Sequence, residues 1–276
     1  MAGNVTQAEK GKRFRALHAR EGAFLLPNPW DAGSARLLAN LGFEALATTS
    51  AGYAFSMGRR DYAVGRETMI AHVAAIAAAT ELPVSADLEN GFGDAPEMAA
   101  ETIGMAAEAG AAGGSIEDAT GRAGDPIYEK DRAVERISAA AEMAHGLKAP
   151  FTLTARCENY LYGRRDLKDT IGRLQAYQEA GADVLYAPGL TRAEEIATLI
   201  AAVDRPVNVL VGMKSAGLDQ AALSAMGVKR ISVGSALARA ALTGFLRAAR
   251  EMREHGTFRF AEEIASYEEI TAMFPE

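Results

Sequence analysis

The chain has little that could carry sulfur, imidazole or nucleotide chemistry. Its 276 residues hold one cysteine, Cys157, which excludes an internal disulfide and fits a reducing compartment. Its four histidines, His18, His72, His145 and His255, all fall in helical patterns away from the strand ends. A histidine-based triad or a zinc site is therefore not expected. Gly91-Phe92-Gly93-Asp94 is too short for a dinucleotide fingerprint and lacks its third glycine. No block of Lys or Arg stands out and the formal net charge is −7, which argues against nucleic acid and anionic membrane as partners. No apolar run approaches a membrane span, and the first twenty residues lack an apolar signal core. The expectation is a soluble, cytoplasmic protein with a small anionic substrate, whose binding a metal and a few local donors make possible despite the negative charge.

What is present is a repeating alternation. Short apolar runs occur at 24–28, 44–49, 83–87, 113–117, 151–156, 183–186, 207–211 and 230–233. Amphipathic stretches follow them at 34–40, 66–80, 96–109, 131–145, 167–180, 192–203, 218–226 and 235–253. The junctions Asn40-Leu41-Gly42-Phe43, Glu108-Ala109-Gly110-Ala111, Glu179-Ala180-Gly181-Ala182 and Ala225-Met226-Gly227-Val228 share one form. A helix ends, glycine supplies a left-handed residue, and an apolar residue enters the next strand. Eight βα units with right-handed crossovers predict an α/β fold, a (β/α)8 TIM barrel. It would be one domain over 1–276, with an N-terminal helix and a C-terminal helical extension. The alternative is a doubly wound open sheet.

Barrel enzymes place their chemistry at the C-terminal strand ends. Asp87 and Glu89 are two apart on the third run, so on a strand both point to one face. Glu117 ends the fourth run in the same way. Three acidic ligands at neighbouring strand ends suit Mg2+ or Mn2+; the alternative is an ion-pair network with barrel Arg or Lys. On the fifth run Thr152, Thr154 and Arg156 share a face. The planar fork of Arg156 suits a carboxylate or phosphonate, or a salt bridge to Glu89 or Glu117. Ser50-Ala51-Gly52 reads as a carboxylate cradle or as an ordinary turn. By pattern Asp61 is a loop residue, and Cys157 is a packed thiol.

Several stretches carry a family resemblance: Pro29-Trp30-Asp31-Ala32, Thr48-Thr49-Ser50-Ala51-Gly52, Gly58-Arg59-Arg60-Asp61, Ala86-Asp87-Leu88-Glu89-Asn90-Gly91-Phe92-Gly93, Ser115-Ile116-Glu117-Asp118 and Thr154-Ala155-Arg156. Through them the chain resembles the isocitrate lyase/phosphoenolpyruvate mutase superfamily over nearly its whole length. The resemblance implies a barrel whose last helix swaps between partners in a homodimer, usually within a homotetramer. It implies Mg2+, with Mn2+ as an alternative, and small 2-oxo or 2-hydroxy carboxylate substrates. By position, Ser50, Ala51 and Gly52 would hold the substrate carboxylate, and Arg156 would bind the substrate. Asp61, Asp87, Glu89 and Glu117 would hold the metal directly or through water. Trp30 would wall the site and Asn208 would line its floor.

The departures narrow the expectation. Lyases of this superfamily carry a Lys-Lys-Cys-Gly segment after strand 4, whereas this chain reads Ala119-Thr120-Gly121-Arg122-Ala123-Gly124-Asp125-Pro126-Ile127-Tyr128. The mutase branch carries a histidine after strand 6, where this chain has Leu185-Tyr186-Ala187-Pro188. What remains resembles the branch with oxaloacetate decarboxylases and dimethylmalate-type lyases. The expected activity is carbon–carbon cleavage through an enolate. The alternatives are phosphonopyruvate chemistry and a 2-oxo acid binder without turnover. Decarboxylation needs no strong base; a retro-aldol reaction would, with Tyr53, Tyr186 or Glu158 as candidates.

Overall fold

The computed structural model describes residues 5–215 and 217–274. Residues 1–4, 216 and 275–276 of the expected 1–276 domain lie outside the described residues. In chain order the elements are α1 (Gln7–Ala19), β1 (Phe24–Leu26), α2 (Ala32–Asn40), β2 (Leu46–Ala47), α3 (Ser50–Ser56) and α4 (Arg66–Ala78). There follow β3 (Val84–Asp87), α5 (Pro96–Glu108), β4 (Gly113–Glu117), β5 (Ala119–Arg122), β6 (Asp125–Ile127), α6 (Lys130–Gly146), β7 (Thr152–Arg156) and α7 (Leu167–Glu179). The chain continues through β8 (Val184–Tyr186), α8 (Ala193–Ala201), β9 (Val207–Leu210), α9 (Gln220–Ala225), β10 (Arg230–Ser232), α10 (Ala236–His255) and α11 (Tyr267–Ala272).

Eight strands form one parallel sheet in the order β1-β10-β9-β8-β7-β4-β3-β2. Its two ends meet: Ala47 N donates to Pro27 O at 3.0 Å, and Asn28 Nδ2 donates to Thr48 O at 3.0 Å. The sheet is therefore a barrel rather than an open sheet. All four junction glycines, Gly42, Gly110, Gly181 and Gly227, have φ between 86° and 104°, which a Cβ would disfavour.

Helices α5 and α6 pack through small residues, with Ala99, Ile103 and Ala106 in one core with Ala133, Ile137 and Ala140. At the other end of the strands α1 closes the barrel floor. Phe14 and Leu17 form a core with Phe24, Leu26, Ala45, Ala47 and Ala112. A Cβ on Gly113 would stand 2.9 Å from the Phe14 ring and 2.7 Å from Thr152 O, so the floor accepts only glycine there.

Two features depart from the expected pattern. The Ser50-Ala51-Gly52 turn is the start of α3, capped by the Thr49 side chain. The loop after β4 folds into an antiparallel hairpin, β5–β6. On α10 only Ala238 is buried, while Leu242, Phe245, Leu246 and Met252 are exposed. No helix among the described residues is long and apolar enough to cross a membrane.

Candidate active site

Strands β3, β4 and β7 lie side by side, with Asp87 in register with Ser115 and Glu117 in register with Arg156. The strand ends thus deliver three charged side chains to one mouth, and Arg156 becomes their centre. Its Nη1 lies 2.9 Å from Asp87 Oδ1, and its Nη2 lies 2.9 Å from both Glu117 Oε2 and Glu158 Oε1. Its Nε donates to Glu158 Oε1 at 3.0 Å. The guanidinium stands over the Tyr186 ring, 5.2 Å from the centroid. Burial alone would lower Arg156, but Glu117, Glu158 and Asp87 outweigh it and hold the group well above the usual arginine range.

The first turn of α3 locks Asp87 from the other side. Ser50 N donates to Asp87 Oδ2 at 2.9 Å, and Asp87 N donates to Thr48 Oγ1 at 2.8 Å. Ser50 Oγ donates to Asp61 Oδ1 at 3.2 Å, which brings the loop residue Asp61 into the site. Burial and the Asp87 charge raise the Asp61 carboxyl. Tyr62, at φ 62°, donates its hydroxyl to Glu117 Oε1.

Strand β3 ends at Asp87, so the strand alternation does not extend to Glu89. That residue takes φ 49° and is 5 % exposed. Its carbonyl accepts from Glu117 N at 3.0 Å, while its Oε1 has no hydrogen-bond partner. Burial, then the charges of Asp87 and Asp61, push its carboxyl up to about 8. Burial likewise raises Glu117 and takes Glu158 to about 7. The structure therefore gathers Asp61, Asp87, Glu89 and Glu117, but round a guanidinium. Among the described residues no three acidic, histidine or cysteine side chains converge as a metal shell.

A cavity of about 160 Å3 opens at this mouth and descends into the barrel. Ser50, Ala51, Asp61, Asp87, Arg156 and Asn208 line it, as does Tyr186, whose phenol is held up to about 12 by burial. Other predicted residues are placed elsewhere. Trp30 and Gly52 line an apolar groove against α10, with Ala238, Leu242 and Phe245. A Cβ on Gly52 would lie 2.6 Å from Thr49 Cγ2 and 3.2 Å from both Trp30 Cβ and Ala238 Cβ, so the capping threonine and the packing against α10 together call for glycine. The Gly52 amide donates to Thr49 Oγ1 at 3.2 Å, and the Ser50 amide is taken by Asp87, so the expected cradle has two of its three amides engaged. Because the chain turns into α3 after Thr49, Tyr53 is carried away and stacks on His72, ring centroids 3.7 Å apart. Glu89, Glu117 and Glu158 do not line the cavity; Glu117 and Glu158 meet it only through Arg156.

The cavity also holds residues that the sequence reading passed over: Asn28, Ser85, Ser115, Arg230 and Ser232. Strand alternation was the signal available for them, since Ser85 shares a face with Asp87 and Ser115 with Glu117. Cys157 is buried, as expected of a packed thiol, and burial pushes it far from its reactive form.

Comparison with known proteins places the barrel in a family. The family model described as phosphoenolpyruvate phosphomutase matches residues 14–253. A solved structure of a putative lyase/mutase from Burkholderia cenocepacia is 63 % identical, covers 98 % of this chain and 97 % of its own, and superposes with a TM-score of 0.95. An oxaloacetate decarboxylase of Paraburkholderia xenovorans is 31 % identical over 81 % of this chain and 75 % of its own. The solved structure of oxaloacetate acetylhydrolase in complex with the product oxalate is 25 % identical, covers 98 % and 94 % of the two chains, and gives a TM-score of 0.86. With the barrel, the acidic strand ends and the match all in agreement, the chain belongs to the phosphoenolpyruvate phosphomutase family, within the isocitrate lyase/phosphoenolpyruvate mutase superfamily.

Proposed function

We propose that this protein is a Mg2+-dependent carbon–carbon lyase acting on a small 2-oxo or 2-hydroxy dicarboxylate, with oxaloacetate decarboxylation as the simplest case. The observation that carries the reading is the surplus of carboxylates: Asp61, Asp87, Glu89, Glu117 and Glu158 surround one guanidinium. Such a mouth takes up an anion only together with a cation. The residues that would hold Mg2+, or Mn2+, are Asp61, Asp87, Glu89 and Glu117, directly or through water. They fit it as hard oxygen donors, and the unpartnered Glu89 Oε1 is a carboxylate oxygen without a protein donor. When bound, the cation supplies a Lewis acid for negative charge developing on the substrate's keto oxygen.

The chain's own residues do the rest. Ser50 and Ala51 border the mouth and orient the substrate. Arg156, immobilised by its carboxylates, is a fixed positive surface beneath it. Tyr186 lines the cavity and stays protonated, which makes its hydroxyl the candidate proton donor to the carbon that CO2 leaves. Of the three candidate bases, Tyr53 and Glu158 do not line the cavity, and Tyr186, which does, is kept protonated by burial, which favours decarboxylation over a base-dependent retro-aldol reaction. The relatives named for oxaloacetate chemistry support the same choice.

The test is pyruvate release from oxaloacetate by the purified protein. Turnover should vanish in EDTA and return with Mg2+. Turnover indifferent to EDTA would defeat the reading. Phosphate or an isomerised product released from phosphonopyruvate would replace it with carbon–phosphorus chemistry. Tight, Mg2+-dependent oxalate binding without any product would leave a binding protein. The open apolar face of α10 supports a homodimer or homotetramer with exchanged helices. Light scattering should show an oligomer that Phe245→Glu dissociates; a monomeric wild type would remove that part.

A further inference from the structure

The buried arginines differ in what they face. Arg156 meets three carboxylates, and Arg173 meets Asp118 and Asp169. Arg136 donates to the carbonyl oxygens of Asn90, Gly93 and Ala95. Arg230 is 3 % exposed, yet among the described residues no ion pair is formed with it. Its Nε donates to Asn208 Oδ1 at 2.9 Å, and Asn208 Nδ2 donates onward to Ser232 Oγ at 2.9 Å. Its Nη1 has no partner at all. Burial draws Arg230 down to about 10, which leaves it cationic at neutral pH.

Its position matters as much. Arg156, Tyr186, Asn208 and Arg230 are register partners across four neighbouring strands, and all four line the one cavity. The groups that face Arg230 do not neutralise it. Tyr186 is protonated, and Arg156 adds positive charge. His18, on the floor helix, is kept neutral by burial and by Arg230 itself, its pKa pulled down to about 3. A bridging water would satisfy the idle N–H and leave the charge uncompensated. A buried guanidinium with an open donor, at the inner end of a cavity that takes anions, calls for an anion.

We propose that Arg230, together with Asn208 and Ser232, forms an anion subsite at the inner end of the cavity, which takes the second carboxylate of a dicarboxylate substrate or a small inorganic anion. The carboxylate source rests on the cavity being the substrate site. The N–H groups of Arg156 are already engaged by its three carboxylates, so Arg230 is the guanidinium left to hold the substrate's far end. This makes it a determinant of specificity for diacids over monoacids.

The test is calorimetry on the full chain with Mg2+ at pH 7.5, using oxalate, malonate, succinate and chloride, with ionic strength held by methanesulfonate. Arg230→Met should weaken malonate and succinate at least tenfold and oxalate less than threefold, and Arg230→Lys should recover part of the loss. Ligand-free Arg230→Met should melt no lower than wild type, because an uncompensated buried charge has gone. Saturable chloride binding lost in Arg230→Met, with malonate and succinate unchanged, would keep the subsite and assign it to an inorganic anion. Equal weakening of every ligand with a lower melting temperature would make Arg230 a support of the fold and overturn the proposal, as would no change in any ligand. None of these readouts needs turnover. An inactive protein with Arg230-dependent binding would sink the lyase reading and spare the subsite.

Discussion

Glu117 and Asp118 are consecutive, yet they enter two buried charge networks on opposite sides of the β4 end. Asp118 accepts from Glu158 N at 2.7 Å, from the Tyr177 hydroxyl at 2.7 Å and from Arg173 Nη1 at 3.3 Å. Arg173 is itself held by Asp169 at 3.0 Å and donates to Tyr128 O at 2.9 Å. Every charge there has its partner, and none of these groups lines the cavity. The Glu117 side is unfinished: burial raises the carboxyls of both networks, Asp118 included, but on this side Glu89 Oε1 lacks a donor. The outer network ties α7 to the strand ends, so its bonds are closed. The inner one leaves bonds open for what enters. The two meet back to back at Glu158, whose amide belongs to one and whose carboxylate belongs to the other.

The contrast breaks most sharply by mutation of the outer network. Asp118→Ala leaves Arg173 buried without its main counter-charge and should cost about 3–5 kcal/mol in urea unfolding. A loss below 1 kcal/mol would mean the network is ornamental. Asp87→Ala should behave in the opposite sense. It should lower turnover on oxaloacetate by about 10²–10³-fold, the usual effect of removing one preorganised electrostatic partner, and abolish Mg2+-dependent oxalate binding. Unchanged turnover in that variant would count heavily against the inner network being catalytic. Tyr177→Phe is finer. It removes one neutral donor from Asp118 and should cost about 1 kcal/mol of stability, with oxalate affinity held within twofold.

A further contrast lies in the sign of the pH dependence of stability. Burial holds His18 at about 3 and His72 at about 4, while the unfolded chain takes up protons below the usual 6.5. The histidine contribution is therefore complete above pH 6.5 and is lost as the pH falls from there toward 4, at up to about 1.4 kcal/mol per pH unit per group. The raised carboxylates slope the other way, since the folded state holds protons that the unfolded chain has released. His18→Phe should shift the balance toward the carboxylates, so that less stability is lost on acidification. Identical pH profiles for wild type and variant would exclude His18 as a contributor.

The repeating βα pattern carried the fold because apolar period and junction glycines report directly on it. It could not show α3, since Ser50, Gly52 and Ser56 are weak helix formers held by the Thr49 cap and by packing against α10. The strand-end acids were legible as residues, and their grouping followed from register. Which partner each would choose was not legible: whether Arg156 faces substrate or carboxylates depends on distances between strands. Trp30 and Tyr53 went astray for a related reason, because the direction of a side chain after a strand depends on how the next turn coils. Arg230 opens an apolar strand, and nothing in the pattern shows which way its side chain faces. Only the barrel's stagger turns that position inward.

The helix across the floor gives the barrel the plan of a bottle. Among the described residues, Phe14 seated on Gly113 closes the floor, so a ligand that enters by the mouth would leave by it. Traffic through one neck is single file. On the proposed reading, a spent acid lingering there would bar the next arrival, and product would compete with substrate for the same neck.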